Sequence, residues 1–294
     1  MLNNKSLCVL GYASGIAGSQ TGSAKGPVTI QHSPYLSTLL EQGVELNWEK
    51  ILQSSHPNAA VLSQVAELCE QLAQFTAKCT RENKRFLVIG GDHTSAIGTW
   101  SGAAHAKRKQ GPLGLIWIDA HMDSHTPETT QSGNLHGMPV ACLLGHGEKS
   151  LTSIGDTLPK IDPSHLCLIG IRSYEFGEAN LLKKRNVKIF YMDEVKQRGL
   201  SAVLKEAVDI VTRDTAGYGI SVDIDSMDPK DAPGTGVAEP DGIAANDLCN
   251  ALATLSNDAR LIGVEIAEFD PTHDVEQMTE KLVVKLISNV VGSR

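Results

Sequence analysis

Three short stretches of the sequence carry carboxylates and imidazoles at spacings that suit metal binding. They read Gly-Gly-Asp-His (90–93), Asp-Ala-His-Met-Asp (119–123) and Asp-Ile-Asp (223–225). In an extended chain, side chains two residues apart point the same way. We therefore expect Asp119 and His121 to face one site, and Asp223 and Asp225 to do the same.

Six candidate ligands in these stretches predict a centre with two metal ions. They are His93, Asp119, His121, Asp123, Asp223 and Asp225. Four carboxylates at one point repel one another strongly unless cations neutralise them. One ion cannot easily bind all six ligands and still keep a water molecule, whereas two ions bridged by Asp119 and Asp223 can. Because the ligands are mostly oxygens and include no thiolate, we expect two Mn²⁺ ions per chain rather than zinc, with a water held and ionised between them.

Taken singly, each motif has a simpler explanation. An aspartate at the end of a strand is often a helix N-cap or a turn former. A lone histidine is often only a hydrogen-bonded polar residue. Three such motifs at the ends of three predicted strands rarely arise by chance, and their combination favours the metal centre.

A polar loop over residues 124–137 directly follows the second motif. Long polar loops at the ligand-binding edge of a sheet often contact the substrate. Thr130, Ser132 and Asn134 offer neutral hydrogen-bonding groups for a polar ligand. His136 is the preferred candidate for proton transfer near neutral pH, and His125 is a second one.

Short apolar runs that alternate with helical patterns must position these residues. The predicted strands cover residues 6–10, 44–48, 86–90, 113–118, 165–170, 187–191, 218–222 and 261–266. The predicted helices cover about 27–42, 57–83, 94–109, 136–145, 178–185, 201–213, 245–255 and 275–290. Unbroken apolar runs are typical of a parallel sheet buried on both faces, and the alternation predicts a three-layer α/β fold. No linker divides the chain, so we expect one domain over residues 1–294. Ligands of such folds bind beyond the carboxyl ends of the strands, where the three motifs lie.

The composition argues against several classes of function. The chain has 26 Lys and Arg against 34 Asp and Glu, a net charge of −8, which disfavours nucleic-acid binding but suits a small cationic substrate. No apolar run approaches the roughly 18–20 residues of a membrane span, and the N-terminal run is too short for a signal peptide. Six scattered cysteines without a C-x-x-C pair indicate reduced thiols, and we expect a cytoplasmic protein.

These motifs together resemble the ureohydrolases, manganese enzymes that include arginase, agmatinase and formimidoylglutamase. The resemblance extends over nearly the whole chain and is strongest at 90–93, 119–123, 132–137, 221–229 and 265–268. It implies a three-layer α/β/α fold with a central, mostly parallel, eight-stranded sheet. The stretch 126–137 is most similar to arginases, so the implied reaction converts L-arginine and water to L-ornithine and urea.

The resemblance also implies roles for individual residues. One metal ion would bind His93, Asp119, Asp123 and Asp223, and the other would bind His121, Asp119, Asp223 and Asp225. Glu268 matches the glutamate that pairs with the guanidinium, and His136 matches the histidine that moves a proton to the leaving amine. Ser132 and Asn134 match residues that recognise the α-carboxylate. Relatives form trimers or hexamers, so a homo-oligomer is implied.

Four residues depart from the arginase pattern. His125 replaces an Asn, Glu175 replaces the Asp that takes the α-amino group, Val237 replaces a Thr, and Glu265 replaces an Asp. We expect all four to lie around the substrate rather than around the metals. They therefore leave hydrolysis intact and affect the far end of the substrate, where one extra methylene changes affinity or position.

Three alternatives remain open at the level of sequence. The first is agmatinase, or another guanidino-acid or formimidoylglutamate hydrolase. The second is a deacetylase with a single zinc ion, which shares a related architecture but needs fewer carboxylates. The third is a metal-binding homologue without catalysis, which the altered substrate residues suggest and the intact His136 and Glu268 argue against.

Overall fold

The computed structural model of the protein describes residues 5–291, and within them the chain alternates strands and helices. The strands are β1 (Lys5–Tyr12), β2 (Val44–Leu52), β3 (Phe86–Ile89), β4 (Leu113–Ile118), β5 (Ile161–Ile171), β6 (Lys188–Tyr191), β7 (Tyr218–Asp223) and β8 (Leu261–Ala267). The helices are α1 (Gly26–Gln31), α2 (Ser37–Glu41), α3 (Val61–Arg81), α4 (Ser95–Lys107), α5 (Pro139–Leu143), α6 (Lys149–Thr152), α7 (Phe176–Lys184), α8 (Met192–Arg198), α9 (Leu200–Val211), α10 (Ala245–Ala253) and α11 (Met278–Val291). Each of the eight predicted strands overlaps an observed one.

All eight strands form one sheet in the order β2-β1-β3-β8-β7-β4-β5-β6. Every neighbouring pair is parallel, so the expected mostly parallel sheet is wholly parallel over the described residues. Parallel neighbours need crossover connections, which the helices between the strands provide.

The sheet lies between two helical layers, and this explains its unbroken apolar strands. Every residue of β3, β4 and β7 is buried. Ile116 and Ile118 of β4 join an apolar cluster with residues of α9, α10 and α11. Leu115 and Trp117 join the opposite cluster, with residues of α3, α4 and α5. Alternate residues of one strand thus enter opposite cores, and this confirms the three layers.

The strand order also places the sequence motifs together. β3, β8, β7 and β4 are consecutive at the centre of the sheet, and the residues that follow them carry the candidate ligands and Glu268. Because these strands are parallel, their carboxyl ends lie along one edge, and the motifs converge there.

The predicted helices differ from the observed ones at a proline and where the observed helices are short. The segment 27–42 is not one helix, because Pro34 cannot donate a backbone hydrogen bond and divides it into α1 and α2. Instead of 136–145, the structure has a short turn followed by α5. Sequence analysis missed α8, which has only seven residues and shows little periodicity.

Candidate metal centre and active site

His93, which follows β3, faces three carboxylates. Its Nδ1 atom lies 2.9 Å from Asp223 Oδ2, 3.2 Å from Asp123 Oδ2 and 3.3 Å from Asp119 Oδ2. The imidazole is fully buried and stacks on the Trp117 ring at a centroid distance of 4.1 Å. These four residues are the set that the resemblance implies for one metal ion.

His121 forms the second half of the cluster. Its Nδ1 atom lies 3.0 Å from Asp225 Oδ2 and 3.6 Å from Asp119 Oδ1. Asp119 therefore presents one oxygen to each histidine, which is the arrangement expected of a bridging ligand. Asp223 faces His93 with Oδ2, and its Oδ1 accepts the Asp225 backbone N–H at 2.8 Å.

The chemistry of this cluster fits a cation pair. The Nδ1 atom of His93 is buried and has no hydrogen-bond partner, although three carboxylate oxygens surround it. A buried nitrogen in this position needs either a proton or a metal ion. Asp119, His93 and Asp223 can hold one ion, and Asp119, His121 and Asp225 can hold another. Carboxylate oxygens together with two imidazoles are suitable ligands for divalent metal ions.

The protonation of the cluster reflects the same excess of negative charge. Burial lowers the pKa of His93, but the surrounding aspartate carboxylates raise it by more, to well above its ordinary value. Burial raises the pKa of Asp225 to about 6 and also raises that of Asp223. Cation binding at these groups therefore competes with proton binding.

Asp123 of the cluster and the neighbouring Glu268 have left-handed backbone conformations, with φ of 46° and 62°. Such conformations are uncommon for residues other than glycine and often occur at functional sites. The conformation of Glu268 is held because its N–H donates to the Gly91 carbonyl at 2.7 Å, and Glu268 Oε1 accepts the His93 N–H at 2.9 Å. These bonds direct its carboxylate towards the cleft.

His136 lies against Glu268, with Nδ1 3.1 Å from Oε1. Burial lowers the pKa of His136, but the hydrogen bond to Glu268 and the charge of Glu268 raise it by more, and the net result is a pKa of about 9. A Cβ atom at Gly18 would lie 3.1 Å from the imidazole ring, so Gly18 leaves room for this side chain. The imidazole is therefore a candidate acid at neutral pH.

The cluster lies at the base of a cleft. Thr130, Ser132 and Asn134 of the polar loop line this cleft together with Val237. The Thr130 and Ser132 hydroxyls accept backbone N–H groups at 3.0 and 3.2 Å, so the loop is partly held by its own side chains. The structure thus brings the three predicted loop residues to the same cavity as the metal cluster.

His125, Glu175 and Glu178 form an acidic corner of the cleft. His125 Nε2 lies 2.8 Å from Glu175 Oε2 and 3.4 Å from Glu178 Oε2, and His125 Nδ1 lies 3.1 Å from Thr129 Oγ1. Glu175 caps α7 in a capping box with Glu178. Burial raises the pKa of Glu178 to about 8. His125 therefore contacts the two glutamates of this corner, whereas His136 contacts Glu268.

The expectation for Glu265 is wrong, because this residue does not lie around the substrate. Its side chain is fully buried, and its carboxylate accepts a 2.8 Å hydrogen bond from Ser221, whose hydroxyl also contacts His93. The cause is its position within β8, where the side chain points into the sheet–α4 layer rather than beyond the strand end.

Sequence analysis missed several residues that surround the ligands. Trp117 donates from Nε1 to Asp119 Oδ2 at 2.8 Å, and Glu239 Oε1 lies 3.6 Å from His121 Nε2. The Glu-x-x-Glu spacing of the capping box could have identified Glu178. Strand alternation could have identified Trp117, because it lies two residues before Asp119 and on the same face of the strand. No local signal identifies Glu239, which comes from a distant loop.

Comparison with known proteins identifies the family of this chain. The family model described as "Arginase family" matches residues 5–292. This chain belongs to the arginase family. An arginase from Brevibacillus brevis is 34% identical over 299 residues, with 99% of each chain covered. The crystal structure of an arginase from Bacillus cereus matches with a TM-score of 0.90 at 31% identity, covering 98% of this chain and 99% of that one.

An arginase-family structure with a bound product is also similar. The Entamoeba histolytica arginase in complex with L-ornithine matches with a TM-score of 0.89 at 30% identity, and the alignment covers 98% of this chain and 99% of that one. Homologues in the arginase family are metal-dependent hydrolases of the guanidino C–N bond, and the ligand set of this chain fits that chemistry. Within residues 5–291, no helix is long and apolar enough to cross a membrane.

Proposed function

We propose that this protein is an arginase, which converts L-arginine and water to L-ornithine and urea with two Mn²⁺ ions. The observation that carries the proposal is the position of Glu268, which lies beside His93 and contacts His136 at the base of the cleft. A carboxylate at this position can hold a planar guanidinium next to the metal cluster. Membership of the arginase family supports it.

Each ion would have its own set of ligands. His93, Asp119, Asp123 and Asp223 would hold one ion, and His121, Asp119, Asp223 and Asp225 would hold the other. When bound, the two ions supply a strong nucleophile from water at neutral pH. A guanidinium is permanently charged and a poor electrophile, so its hydrolysis requires such a nucleophile.

The residues of the chain orient the substrate and supply a proton. Glu268 binds the guanidinium and keeps its carbon facing the metal cluster. His136, which holds a proton at neutral pH, donates that proton to the departing amine, since an amine anion is a poor leaving group. The polar loop excludes water from one side of the substrate and binds its polar end.

The far end of the substrate is an amino acid in this proposal. Ser132, Asn134 and Thr130 offer neutral donors to the α-carboxylate from the loop that lines the cleft. Glu175, oriented by His125, offers a carboxylate to the α-amino group. Glutamate is one methylene longer than aspartate, so the amino group would lie farther from the backbone of α7.

A specific observation favours agmatinase as the second candidate. The acidic corner presents the Glu175 carboxylate beside Glu178 and His125 and suits a substrate whose far end is a simple ammonium group. The same corner disfavours formimidoylglutamate, whose far end carries carboxylates. Ser132 and Asn134 favour arginine, because a simple amine has no carboxylate for them to bind.

A substrate panel tests the proposal. Protein loaded with Mn²⁺ is assayed for urea release from L-arginine, agmatine and guanidinobutyrate, and for hydrolysis of formimidoylglutamate. We expect the highest kcat/KM with L-arginine and loss of that activity in Glu268→Gln. Glu280→Gln, which changes a buried glutamate of α11 outside the cleft, is the matched control. Urea release from agmatine alone would replace arginase with agmatinase.

We also propose that the protein is a cytoplasmic homo-oligomer, either a trimer or a hexamer. The support is the ureohydrolase resemblance for assembly and the six cysteines without a disulfide for the reducing compartment. Light scattering of purified protein measures the assembly, and a monomer at micromolar concentration would contradict it.

A further inference from the structure

Ser221 and Glu265 are direct neighbours on adjacent central strands. They are register partners in the parallel pairing of β7 with β8, so their side chains lie on the same face of the sheet. That face is covered by α4, which begins two residues after His93. Glu265 is completely buried between the sheet and this helix.

The Glu265 carboxylate is saturated with hydrogen-bond donors. Oε1 accepts from the Ser95 hydroxyl at 2.6 Å, and Oε2 accepts from Trp100 Nε1 at 3.1 Å and from the Ser221 hydroxyl at 2.8 Å. The Thr99 hydroxyl lies 3.2 Å from Oε1. A buried carboxylate is costly, and apolar residues of similar volume often support a fold equally well. Its presence behind a metal ligand therefore points to a role beyond packing.

The direction of these hydrogen bonds determines which nitrogen of His93 carries a proton. A serine hydroxyl has one hydrogen, and an ionised Glu265 carboxylate can only accept, so Ser221 donates its hydrogen to Glu265. Ser221 Oγ lies 3.0 Å from His93 Nε2 and can then only accept, so the proton is on Nε2. The lone pair of a neutral His93 is consequently on Nδ1, the atom that faces the three aspartates.

We propose that Glu265 is a positioning residue that acts through Ser221 to hold His93 as a metal ligand at Nδ1. This inference rests on the metal centre of the proposed function. Carboxylates behind metal-bound histidines fix the orientation and tautomer of the ring and increase its basicity. Here the hydroxyl of Ser221 carries that effect from the buried carboxylate to the ring. His121 is outside this chain of hydrogen bonds.

Metal affinity tests the proposal without measuring turnover. Metal-free protein is titrated with Mn²⁺, and the free ion is measured by electron paramagnetic resonance for the wild type, Glu265→Gln, Ser221→Ala and the double variant. We expect each single change to weaken one of the two ions by about 10–100-fold and to leave the other ion within about threefold. The double variant should be no weaker than the weaker single variant, because both changes interrupt one path.

Other variants separate positioning from folding. Glu280→Gln is the matched control, and its Mn²⁺ affinities should equal those of the wild type. A merely structural Glu265 would lower the melting temperature of Glu265→Gln while leaving both affinities unchanged, and that result would overturn the proposal. If Glu265→Gln does not fold, Ser221→Ala decides the matter, since unchanged affinity in that variant breaks the proposed path.

The proposed function and this inference can fail separately. Wild-type protein that binds two Mn²⁺ ions but releases no urea from any guanidine would refute the proposed function. The affinity changes in Glu265→Gln and Ser221→Ala would still support the positioning role. Conversely, normal urea release with unchanged Mn²⁺ affinity in both variants would refute the positioning role alone.

Discussion

Glu268 and His136 contact each other across 132 positions of sequence, with His136 Nδ1 3.1 Å from Glu268 Oε1. The glutamate follows the central strand β8, and the histidine lies at the end of the polar loop after β4. Their contact joins the group proposed to bind the guanidinium to the group proposed to protonate the leaving amine. One carboxylate oxygen thus influences both substrate orientation and proton supply.

Replacing Glu268 with Gln should lower kcat/KM for L-arginine by about 100-fold or more, because the guanidinium loses its charged partner. The amide oxygen of Gln can still accept a hydrogen bond from the backbone N–H of His93. The backbone arrangement and the bound metal should therefore remain. Steady-state kinetics and metal analysis of the same preparation check this. Loss of manganese together with activity would mean that Glu268 acts on the metal centre instead.

Replacing His136 with Ala should lower kcat by about 100-fold, since the departing amine loses its acid. Added imidazole should restore part of the rate by entering the space beside Gly18. His32→Ala, at an exposed histidine, is the control. Full activity in His136→Ala and a loss in His125→Ala would transfer the proton role to His125.

The pH dependence of kcat/KM should follow two ionisations. Activity should rise between about pH 7 and 9 as the metal-bound water ionises. It should fall above about pH 9, because the pKa of His136 is raised to about 9 and the acid form is lost as the pH passes that value. In Glu268→Gln, the upper limb of any residual activity should move to lower pH. An unmoved upper limb would show that Glu268 does not set this ionisation.

Replacing Asp223 with Ala should remove metal and activity together, because this carboxylate is expected to contact both ions. Elemental analysis should find well under two manganese ions per chain, and Mn²⁺ should not raise the melting temperature of this variant, although we expect it to raise that of the wild type. Asp162→Ala, at an exposed aspartate bonded to Ser164, should behave as the wild type. Unchanged manganese content in Asp223→Ala would contradict the proposed ligand set.

Much of the fold was predictable from local sequence. Buried parallel strands are covered on both faces, so β3 and β4 are unbroken apolar runs that need no tertiary information to identify. The six candidate metal ligands were predictable because they lie at or just beyond the ends of buried strands. Five of them, at 119, 121, 123, 223 and 225, are spaced by two residues, and His93 follows β3. Helices were less predictable. The predicted helix 27–42 is divided into α1 and α2 at Pro34, and α8 was not predicted because it has only seven residues.

Tertiary structure alone decided which side chains support the ligands. The resemblance to ureohydrolases predicted that Glu265 would lie with the substrate residues, yet the register of β7 against β8 and the packing of α4 bury it behind His93. The contact between Glu268 and His136 likewise depends on two loops that meet over the same strand edge. Local sequence determines which residues end a strand and which way they point, because those properties depend on chain geometry over a few residues. Contacts between strands and loops depend on strand order and packing, which are properties of the whole folded chain.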